Sequence, residues 1–350
     1  MNVFLPFKRE TNVVLDEIEL YFNGNFIYDS YTNFYKHKVD IINIHWPESI
    51  FGFSIPSIEQ LCDLEESLIE WKKTKKIVYT IHNNEPHIHI NKNNKILYEL
   101  IIKYADALIH LGKFSLTEFK KNYPNSINKK MTIISHPAYT LFENNITKNE
   151  ARNILKIPLH KKVILVFGSV RTNEEASLIF NAFNKVKTND KFLLISNFNV
   201  YKPLPKNLIQ RVKKYINTKL ERLKHILRRN TLINYDFVLN NKVQVYLNAA
   251  DVIFIARKKI LNSGNVFLGY SFKKIVVGPD VGNVGEYLKA ANNPVFNPQK
   301  IQSIANALEE GLNYNKDKGD SNFQFVNDNY HPSKIASLYN EFFTELIYNH

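Results

Sequence analysis

The chain has 350 residues, of which 44% are hydrophobic, and a formal net charge of +13. This length exceeds one ordinary domain and suffices for two buried cores. The single cysteine, Cys62, excludes an intramolecular disulfide framework and is typical of a reducing cytoplasm. Residues 1–8 lack a secretory pattern, and no apolar run approaches the ~20 residues that span a bilayer. We expect a cytoplasmic protein, either soluble or peripheral on the inner face of the plasma membrane.

The positive charge has two readings. It favours a polyanionic partner, such as a phosphorylated substrate, an anionic lipid or nucleic acid, or it reflects the Lys and Asn usage of an AT-rich genome. The charge is densest at 206–230, where apolar residues recur at helical spacing and Glu221 is the only acid. This basic helix either lies on an anionic membrane surface or packs on the core with a solvated basic face.

Short apolar, β-branched runs alternate with longer amphipathic stretches along the chain. In the first half, strands are predicted at 40–44, 76–81, 107–111 and 131–135, and helices at 57–73 and 95–105. In the second half, strands are predicted at 162–167, 191–196, 231–235, 252–256 and 275–278, and helices at 174–187, 240–249, 266–272, 298–314 and 333–347. Strands that alternate with helices predict βαβ units and parallel sheets.

A polar segment at 144–162 precedes a fresh strand and marks a domain boundary. We expect two α/β domains, each a Rossmann-like doubly wound sheet, at 1–148 and 149–332. The last helix, at 333–350, is expected to pack back on the first domain. Two such sheets would face each other across a cleft, with ligands at the carboxyl ends of the strands.

Two turns of the second half have the chemistry of a diphosphate site. A strand runs into Gly168, which permits close approach of the backbone to a ligand, and Arg171 follows. Further on, Ser263 is a natural N-cap whose helix would direct N–H groups at an anion. Both features also occur in ordinary tight turns and capped helices. The candidate diphosphate contacts are Gly168, Ser169, Arg171, Lys259, Ser263, Gly264 and Asn265.

The residues at 160–290 resemble glycosyltransferases of family 4, which have the GT-B fold. The resemblance rests on FGSVR after a strand, on the stretch 238–251 that ends in AAD, on ILNSGN and on VVGPD. The ILNSGN form is similar to the exopolysaccharide and capsule branch that contains mannosyltransferases. The resemblance implies retaining, metal-independent transfer of a hexose from a UDP- or GDP-linked sugar, without a resident cofactor. It also places the base at Asp236 and Val238, and the ribose or sugar at Glu286.

The chain departs from the family pattern at two places. Many members carry two glutamates around the second helix, but Ile260 and Leu268 stand at those positions. Many also carry a lysine after the arginine of the glycine turn, where this chain has Glu174 and Glu175. Our hypothesis is that a cation at 257–259 replaces the missing one.

In the first half, three histidine-containing turns follow predicted strands. By resemblance, the histidine after the strand at 76–81 lies near the reacting sugar, and a histidine can orient a hydroxyl, donate to a phosphate or carry a proton. The expected catalytic residue is His82, and the expected acceptor contacts are His45, Asn83, Glu85 and His136. The pair His87 and His89 could also ligate a metal, but no further ligand spacing supports this, and we expect no metal.

The acceptor and two rival functions stay open. A basic helix suits a saccharide acceptor linked to a polyprenyl diphosphate, as in surface polysaccharide synthesis. One rival is a sugar-nucleotide epimerase on the same fold. The other is a non-enzymatic protein that binds nucleic acid. Against the latter, the basic residues do not alternate with aromatic ones as in known recognition modules, and we expect no nucleic-acid partner.

Overall fold

The computed structural model describes residues 1–9, 12–83, 91–126, 128–200, 207–226, 228–315 and 317–348. Its strands are β1 (Asn2–Leu5), β2 (Asn25–Tyr28), β3 (Ile41–Ile44), β4 (Lys76–Ile81), β5 (Ala107–His110), β6 (Lys130–Ile133), β7 (Lys162–Val170), β8 (Lys191–Phe198), β9 (Thr231–Ile233), β10 (Val252–Phe254), β11 (Ile275–Pro279) and β12 (Val295–Phe296).

Its α-helices are α1 (Val13–Glu19), α2 (Ile58–Thr74), α3 (Lys92–Tyr104), α4 (Lys113–Asn122), α5 (Lys148–Ile154), α6 (Asn173–Lys185), α7 (Leu208–Ile226), α8 (Val243–Ala249), α9 (Gly264–Ser271), α10 (Gly282–Ala290), α11 (Ile301–Asn313), α12 (Asp317–Tyr330) and α13 (Pro332–Tyr348). Short 3₁₀ helices occupy Tyr31–Lys36, Pro47–Phe51, Pro124–Ser126 and Asn240–Lys242.

The chain divides into two compact units. Unit 1 comprises Met1–Tyr139 and Asp328–His350, and unit 2 comprises Thr140–Asn327. Each unit contains one six-stranded sheet, in the order β2-β1-β3-β4-β5-β6 in unit 1 and β12-β11-β10-β7-β8-β9 in unit 2. Every strand pair in both sheets is parallel, as the alternation of strands and helices predicts.

The core of unit 1 includes the end of the chain. Ile335, Tyr339 and Phe343 of α13 are buried in the same cluster as Val3 of β1 and Ile18 of α1. A helix with one apolar stripe must bury it against another element, and α13 buries its stripe here. This placement explains why the last residues belong to unit 1 although they follow unit 2 in sequence.

Unit 2 begins at Thr140, earlier than the sequence boundary at 148/149. The reason is a set of hydrogen bonds between the segment before α5 and the helix α8. Gln244 Nε2 donates to Glu143 Oε2 at 3.0 Å, and Asn248 Nδ2 donates to Asn144 Oδ1 at 2.8 Å. The side chain of Lys148 pairs with Asp251, so the connection is fastened to unit 2 at both ends.

Every strand predicted from the sequence is present within a few residues. The strand after 162 is longer than expected, because it shifts register between Val166 and Ser169 and then continues to Val170. The predicted basic helix is α7, but several of its side chains lie outside the described residues. None of the described helices combines the length and apolarity that crossing a bilayer requires.

Candidate functional site

In unit 2, the bulge of β7 at Gly168 contacts the start of α9, and the sequence predicts a turn here that is in fact continued by the strand to Val170. The segment 168–171 is called the glycine turn below. Gly168 has φ +90°, a conformation that other residues adopt with strain. Asn265 Nδ2 donates to the Phe167 carbonyl at 2.7 Å, which fastens the first turn of α9 to this bend. The structure thus brings together two segments that are about 95 residues apart and that the sequence predicts separately as diphosphate contacts.

The start of α9 has the predicted cap. Ser263 is the N-cap residue, and its Oγ accepts from the Asn265 N–H at 3.4 Å. Residues Ser263, Gly264 and Asn265 are each half-buried. Asn283 Nδ2 of α10 donates to Asn262 Oδ1 at 2.7 Å, so α10 holds the loop that leads into the cap. A rigid helix N-terminus of this kind favours an anionic group.

Two backbone N–H groups of the glycine turn are used inside the protein. The Gly168 N–H donates to Ser196 Oγ at 2.9 Å, and the Arg171 N–H donates to Glu175 Oε2 at 2.7 Å. Ser169 Oγ accepts from Asn197 Nδ2 at 3.0 Å. The guanidinium of Arg171 is a further group of this turn that suits a phosphate oxygen.

A second guanidinium, that of Arg257, contacts the same turn. Arg257, which follows β10, donates through Nη2 to the Ser169 carbonyl at 2.8 Å, and its Nη1 pairs with Glu175. Burial and the nearby charge of Arg171 lower the pKa of Arg257 to about 10, and burial also lowers the pKa of Arg171. Two arginines close enough to repel each other make a strongly positive site, which Glu175 neutralises in part.

The three candidate replacement cations therefore differ. Arg257 has its two contacts at the turn, whereas Lys258 pairs with Glu174 at 2.8 Å. Lys259 is exposed and raises the local positive charge near Glu174. Of the two positions where the family has glutamate, Leu268 is buried in the core and Ile260 is half-buried.

The other predicted donor contacts occupy separate elements of unit 2. Asp236 and Val238 lie in the loop after β9, where Asn234 closes a turn by accepting from the Asp236 N–H at 3.2 Å. Glu286 lies half-buried in α10. The roles of these three residues stay predictions.

In unit 1, the histidines that follow β3 and β4 form a hydrogen-bonded pair. His45 Nδ1 lies 2.9 Å from His82 Nε2, because β3 and β4 are adjacent and parallel and their carboxyl ends coincide. The Trp46 ring stacks on the His82 ring at 4.1 Å and 21°. The His136 ring lies 5.6 Å from the His82 ring. The structure thus brings together all three histidines that the sequence singles out.

The three histidines are buried, and burial keeps His45 and His136 uncharged near neutral pH. Burial, and secondarily the charge of His136, lowers the pKa of His45 to about 3. Burial lowers the pKa of His136 to about 4. Asn83 is half-buried beside His82, whereas Glu85, His87 and His89 lie outside the described residues. In the described part of the chain, no group of three or more His, Cys, Asp or Glu side chains could hold a metal ion.

A cavity of about 320 Å³ adjoins this cluster in unit 1. Its lining includes Trp46, the aromatic rings of Phe7 and Phe53, and the side chain of Lys8. Aromatic faces with a few polar groups are typical of small-molecule pockets. Trp46 contacts both this cavity and His82, so it links the two.

Sequence reasoning missed several residues that complete these sites. In unit 1 these are Asn43, Thr80 and Tyr339, and in unit 2 they are Ser196 and Asn197. Asn43 is a polar residue inside an otherwise apolar strand, IINI, and that departure is the signal that could have found it. Tyr339 gives no such signal, because it lies on the apolar stripe of a distant helix.

Solved structures give likenesses over nearly the whole chain. The Anabaena protein HepE, solved in complex with UDP-glucose, has a TM-score of 0.65 and 13% identity, covering 99% of this chain and 98% of that one. A glycosyltransferase from Rickettsia africae has a TM-score of 0.61 and 15% identity, covering 98% and 85%. A sucrose-phosphate synthase from Thermosynechococcus elongatus has a TM-score of 0.63 and 14% identity, covering 90% and 75%.

The chain has the GT-B fold. The two parallel sheets and these likenesses confirm the predicted class of two Rossmann-like α/β domains. At 12–15% identity, the likeness establishes the fold alone. A scan of protein-family models finds no match, and a sequence search of curated proteins finds none either.

Proposed function

We propose that this chain is a glycosyltransferase that moves a hexose from a nucleoside-diphosphate sugar to a hydroxyl of a saccharide. The observation that carries the proposal is the contact in unit 2 between the glycine turn, which Arg171 follows in the chain, and the N-terminus of α9, in a GT-B fold. Several proteins of like fold are glycosyltransferases, and HepE was solved with UDP-glucose.

The donor diphosphate binds between the Arg171 guanidinium and the start of α9. Both favour negative charge, and the leaving nucleoside diphosphate gains negative charge as the glycosidic bond breaks. The electrostatic site is built before the reaction, so little reorganisation is needed. From the resemblance to family 4 we propose retention of configuration. We also propose no metal requirement, since the protein itself supplies positive charge at this site.

Nucleotide binding tests this proposal directly. UDP, GDP, UDP-glucose and GDP-mannose are titrated into the full chain by calorimetry and by thermal shift, since a ligand of the folded state raises its stability. At least one of them should bind. Arg171→Gln should weaken that binding about tenfold or more, because it removes a charge-assisted hydrogen bond. Arg228→Gln is the matched control, because Arg228 lies over the Phe180 ring of unit 2, at 4.2 Å.

Two results would contradict the proposal. One is that no nucleotide or nucleotide sugar binds. The other is that both arginine variants weaken binding equally, which would indicate a general loss of positive charge and not a site. Where a nucleotide sugar binds, incubation with and without saccharide acceptors separates transfer from epimerisation, because an epimerase converts the sugar without an acceptor.

We further propose that the acceptor is a saccharide carried on a polyprenyl diphosphate, in surface polysaccharide synthesis. We also propose that α7 binds the anionic membrane that holds this lipid carrier. In α7, Ile216 and Leu220 lie one turn apart and are 50% and 51% exposed. The exposed side chains of Lys213, Lys219 and Lys224 supply positive charge around them. An exposed apolar stripe with basic flanks fits an anionic lipid surface.

Vesicle flotation tests the membrane part. The chain should float with phosphatidylglycerol vesicles, should stay behind with phosphatidylcholine vesicles, and should be released by high salt. Ile216→Asp should reduce flotation. The matched control is Leu159→Asp, since Leu159 is equally exposed, at 50%, in unit 2 but outside α7. Equal recovery on neutral and anionic vesicles, or equal loss in both variants, would refute this part.

A further inference from the structure

The cavity of about 320 Å³ in unit 1 has aromatic walls that are already held in place. Phe7 is 8% exposed, and its ring lies edge-on to the ring of Tyr28 at 5.7 Å and 72°. Trp46 stacks on His82 at 4.1 Å. Small-molecule pockets enclose about 300–1,000 Å³, so this volume suits one small ring and not an extended chain. The cavity is therefore preformed for a compact ligand.

Phe53, which also lines this cavity, has a strained backbone. Its φ is +60°, in the left-handed region that a bulky side chain adopts at a cost. The Phe53 N–H donates to the Glu48 carbonyl at 2.8 Å, and the Gly52 N–H donates to the Ser49 carbonyl at 3.0 Å, so the turn is held in this conformation. Phe53 is 53% exposed, so packing in the core does not offset the strain. Strain that persists without a packing reason indicates that the ring itself is needed at this place.

The cavity carries positive charge. Lys8 lines it, and none of the described lining residues is acidic. Asp16 and Glu19 of α1 pair with Arg9 at 3.2 and 3.0 Å, whereas Lys8 has no ion pair within the part of the chain that the structure describes. A cation beside aromatic rings, without a neutralising carboxylate, favours an anionic group on the ligand.

We propose that this cavity is a binding site for a pyranose ring that carries a negative charge, which the acceptor saccharide supplies. The C–H groups of a sugar ring pack on the electron-rich faces of Phe53 and Trp46. The Lys8 ammonium pairs with the charged group, either a carboxylate or a phosphate. Asn12 also lines the cavity and uses its Oδ1 to accept from the Leu15 N–H at 3.4 Å, so its NH₂ group donates to a ring hydroxyl. The assignment to the acceptor rests on the proposed function, whereas binding of the sugar does not depend on it.

Saturation-transfer NMR on the full chain tests the preference for charge. The probes are methyl glucuronide, glucose 6-phosphate and the neutral methyl glucoside, and the two charged probes distinguish a carboxylate from a phosphate. At least one charged probe should bind about fivefold tighter than methyl glucoside, which is the effect of one partly exposed ion pair. A neutral sugar that binds as tightly as both charged ones, or no binding of any probe, would overturn the proposal.

Three variants locate the bound probe. Lys8→Met should lower the affinity for the charged probe to that for methyl glucoside. Lys36→Met is the matched control, because Lys36 is an exposed lysine of unit 1 outside the cavity lining, and it should leave the affinity unchanged. Arg171→Gln should also leave the affinity unchanged, since Arg171 belongs to unit 2. Loss of binding in Arg171→Gln but not in Lys8→Met would place the probe in unit 2 and overturn the proposal.

Phe53→Asn separates ligand contact from structural support. Asparagine tolerates the left-handed region, so the urea midpoint of unit 1, followed by tryptophan fluorescence, should not fall. The affinity for the charged probe should fall roughly tenfold, because one aromatic face is lost. Tyr35→Asn removes another ring of unit 1, which is 74% exposed, and should leave the affinity unchanged. Unchanged affinity in Phe53→Asn, or a fall in its urea midpoint, would overturn the role given to the Phe53 ring.

Turnover connects the cavity with the reaction. Where the chain transfers a hexose, acceptors that contain the charged sugar should have a KM about fivefold lower than acceptors with glucose in its place. Lys8→Met should erase this difference and leave kcat nearly unchanged. An equal KM for the two acceptors in the wild type would overturn the assignment to the acceptor. A chain that binds the charged sugar but transfers no hexose refutes the proposed function, and the binding site then still stands.

Discussion

Glu175 holds the glycine turn of unit 2 by two contacts, and Glu175→Gln measures what they contribute. One carboxylate oxygen accepts the Arg171 N–H at 2.7 Å, and the other pairs with the Arg257 guanidinium. Glutamine has the same shape but keeps only one accepting oxygen. Its NH₂ group must face either the Arg171 N–H or the Arg257 guanidinium, both of which are donors. One hydrogen bond is therefore lost and two donor groups face each other in its place.

The expected cost lies between two limits. A hydrogen bond to a charged group contributes about 1.5–3 kcal/mol, and an exposed ion pair contributes about 0–1 kcal/mol. The side chains of Arg257 and Glu175 are 23% and 18% exposed, so solvent screens the pair only in part. We expect the local free energy of opening to fall by about 2 kcal/mol. Glu174→Gln is the matched control, because Glu174 is 67% exposed where it pairs with Lys258, so solvent screens that pair and local opening should hardly change.

Hydrogen exchange is the appropriate assay. Both tryptophans, Trp46 and Trp71, belong to unit 1, so their fluorescence does not follow unit 2. Mass spectrometry of peptides from β7 and α6 reports the local opening, with peptides of unit 1 as the internal reference. A loss of about 2 kcal/mol corresponds to exchange about 30-fold faster in Glu175→Gln. Unchanged exchange, or the same increase in Glu174→Gln, would show that this carboxylate does not hold the turn.

Three further predictions follow from burial and backbone geometry. Burial lowers the pKa of His110 to about 4, below its unfolded value near 6.5. Unit 1 should therefore lose stability as pH falls from 6.5 towards 4, by up to about 1.4 kcal/mol per pH unit from this group. His110→Leu should reduce that slope in tryptophan-monitored urea unfolding, and an unchanged slope would contradict the prediction. Gly168→Ala should cost about 1–2 kcal/mol of stability through its φ of +90° alone, since the nearest atom to the new Cβ is 3.9 Å away. Gly282→Ala should cost more, because its Cβ would meet the Ile260 carbonyl oxygen at 2.3 Å. Urea unfolding followed by circular dichroism would rank the stabilities of the two variants, and the reverse order would refute the prediction. Phe343→Ala should destabilise unit 1 by about 3–5 kcal/mol, because Phe343 is 0% exposed. If the free energy of unfolding in the tryptophan-monitored assay fell by less than about 1 kcal/mol, α13 would contribute little to that core.

The architecture was predictable from the sequence because hydrophobic periodicity follows burial closely. Strands β4 and β7 are apolar on both faces, since helices cover both sides of a parallel sheet, and such runs are easy to recognise. The strands missed were β1, β2 and β12, which have four, four and two residues. β2 is an edge strand without a fully buried residue, and β12 has only two residues, so neither has a strong pattern.

The candidate sites were predictable only in part, because side-chain pairing depends on register. The sequence places His45 and His82 at strand ends, and parallel strands bring such ends to one edge of the sheet. It cannot show that Ile44 lies opposite Tyr79, the register that brings His45 Nδ1 within 2.9 Å of His82 Nε2. Nor can a local sequence pattern show which residues of unit 1 the helix α13 contacts, since α13 follows unit 2 in the chain.

The acids of the glycine turn have partners in the structure that the sequence pattern does not indicate. In sequence, Glu174 and Glu175 stand where a cation is expected and suggest a weakened phosphate site. In the structure, Glu175 pairs with Arg257, which in turn donates to the Ser169 carbonyl. Positive charge therefore reaches the turn from the loop after β10, and the carboxylate of Glu175 contacts both the Arg257 guanidinium and the Arg171 N–H. Because Arg257 and Glu175 contact each other, the effects of replacing them are not expected to add. The double variant should therefore be compared with both single variants before either residue is judged dispensable.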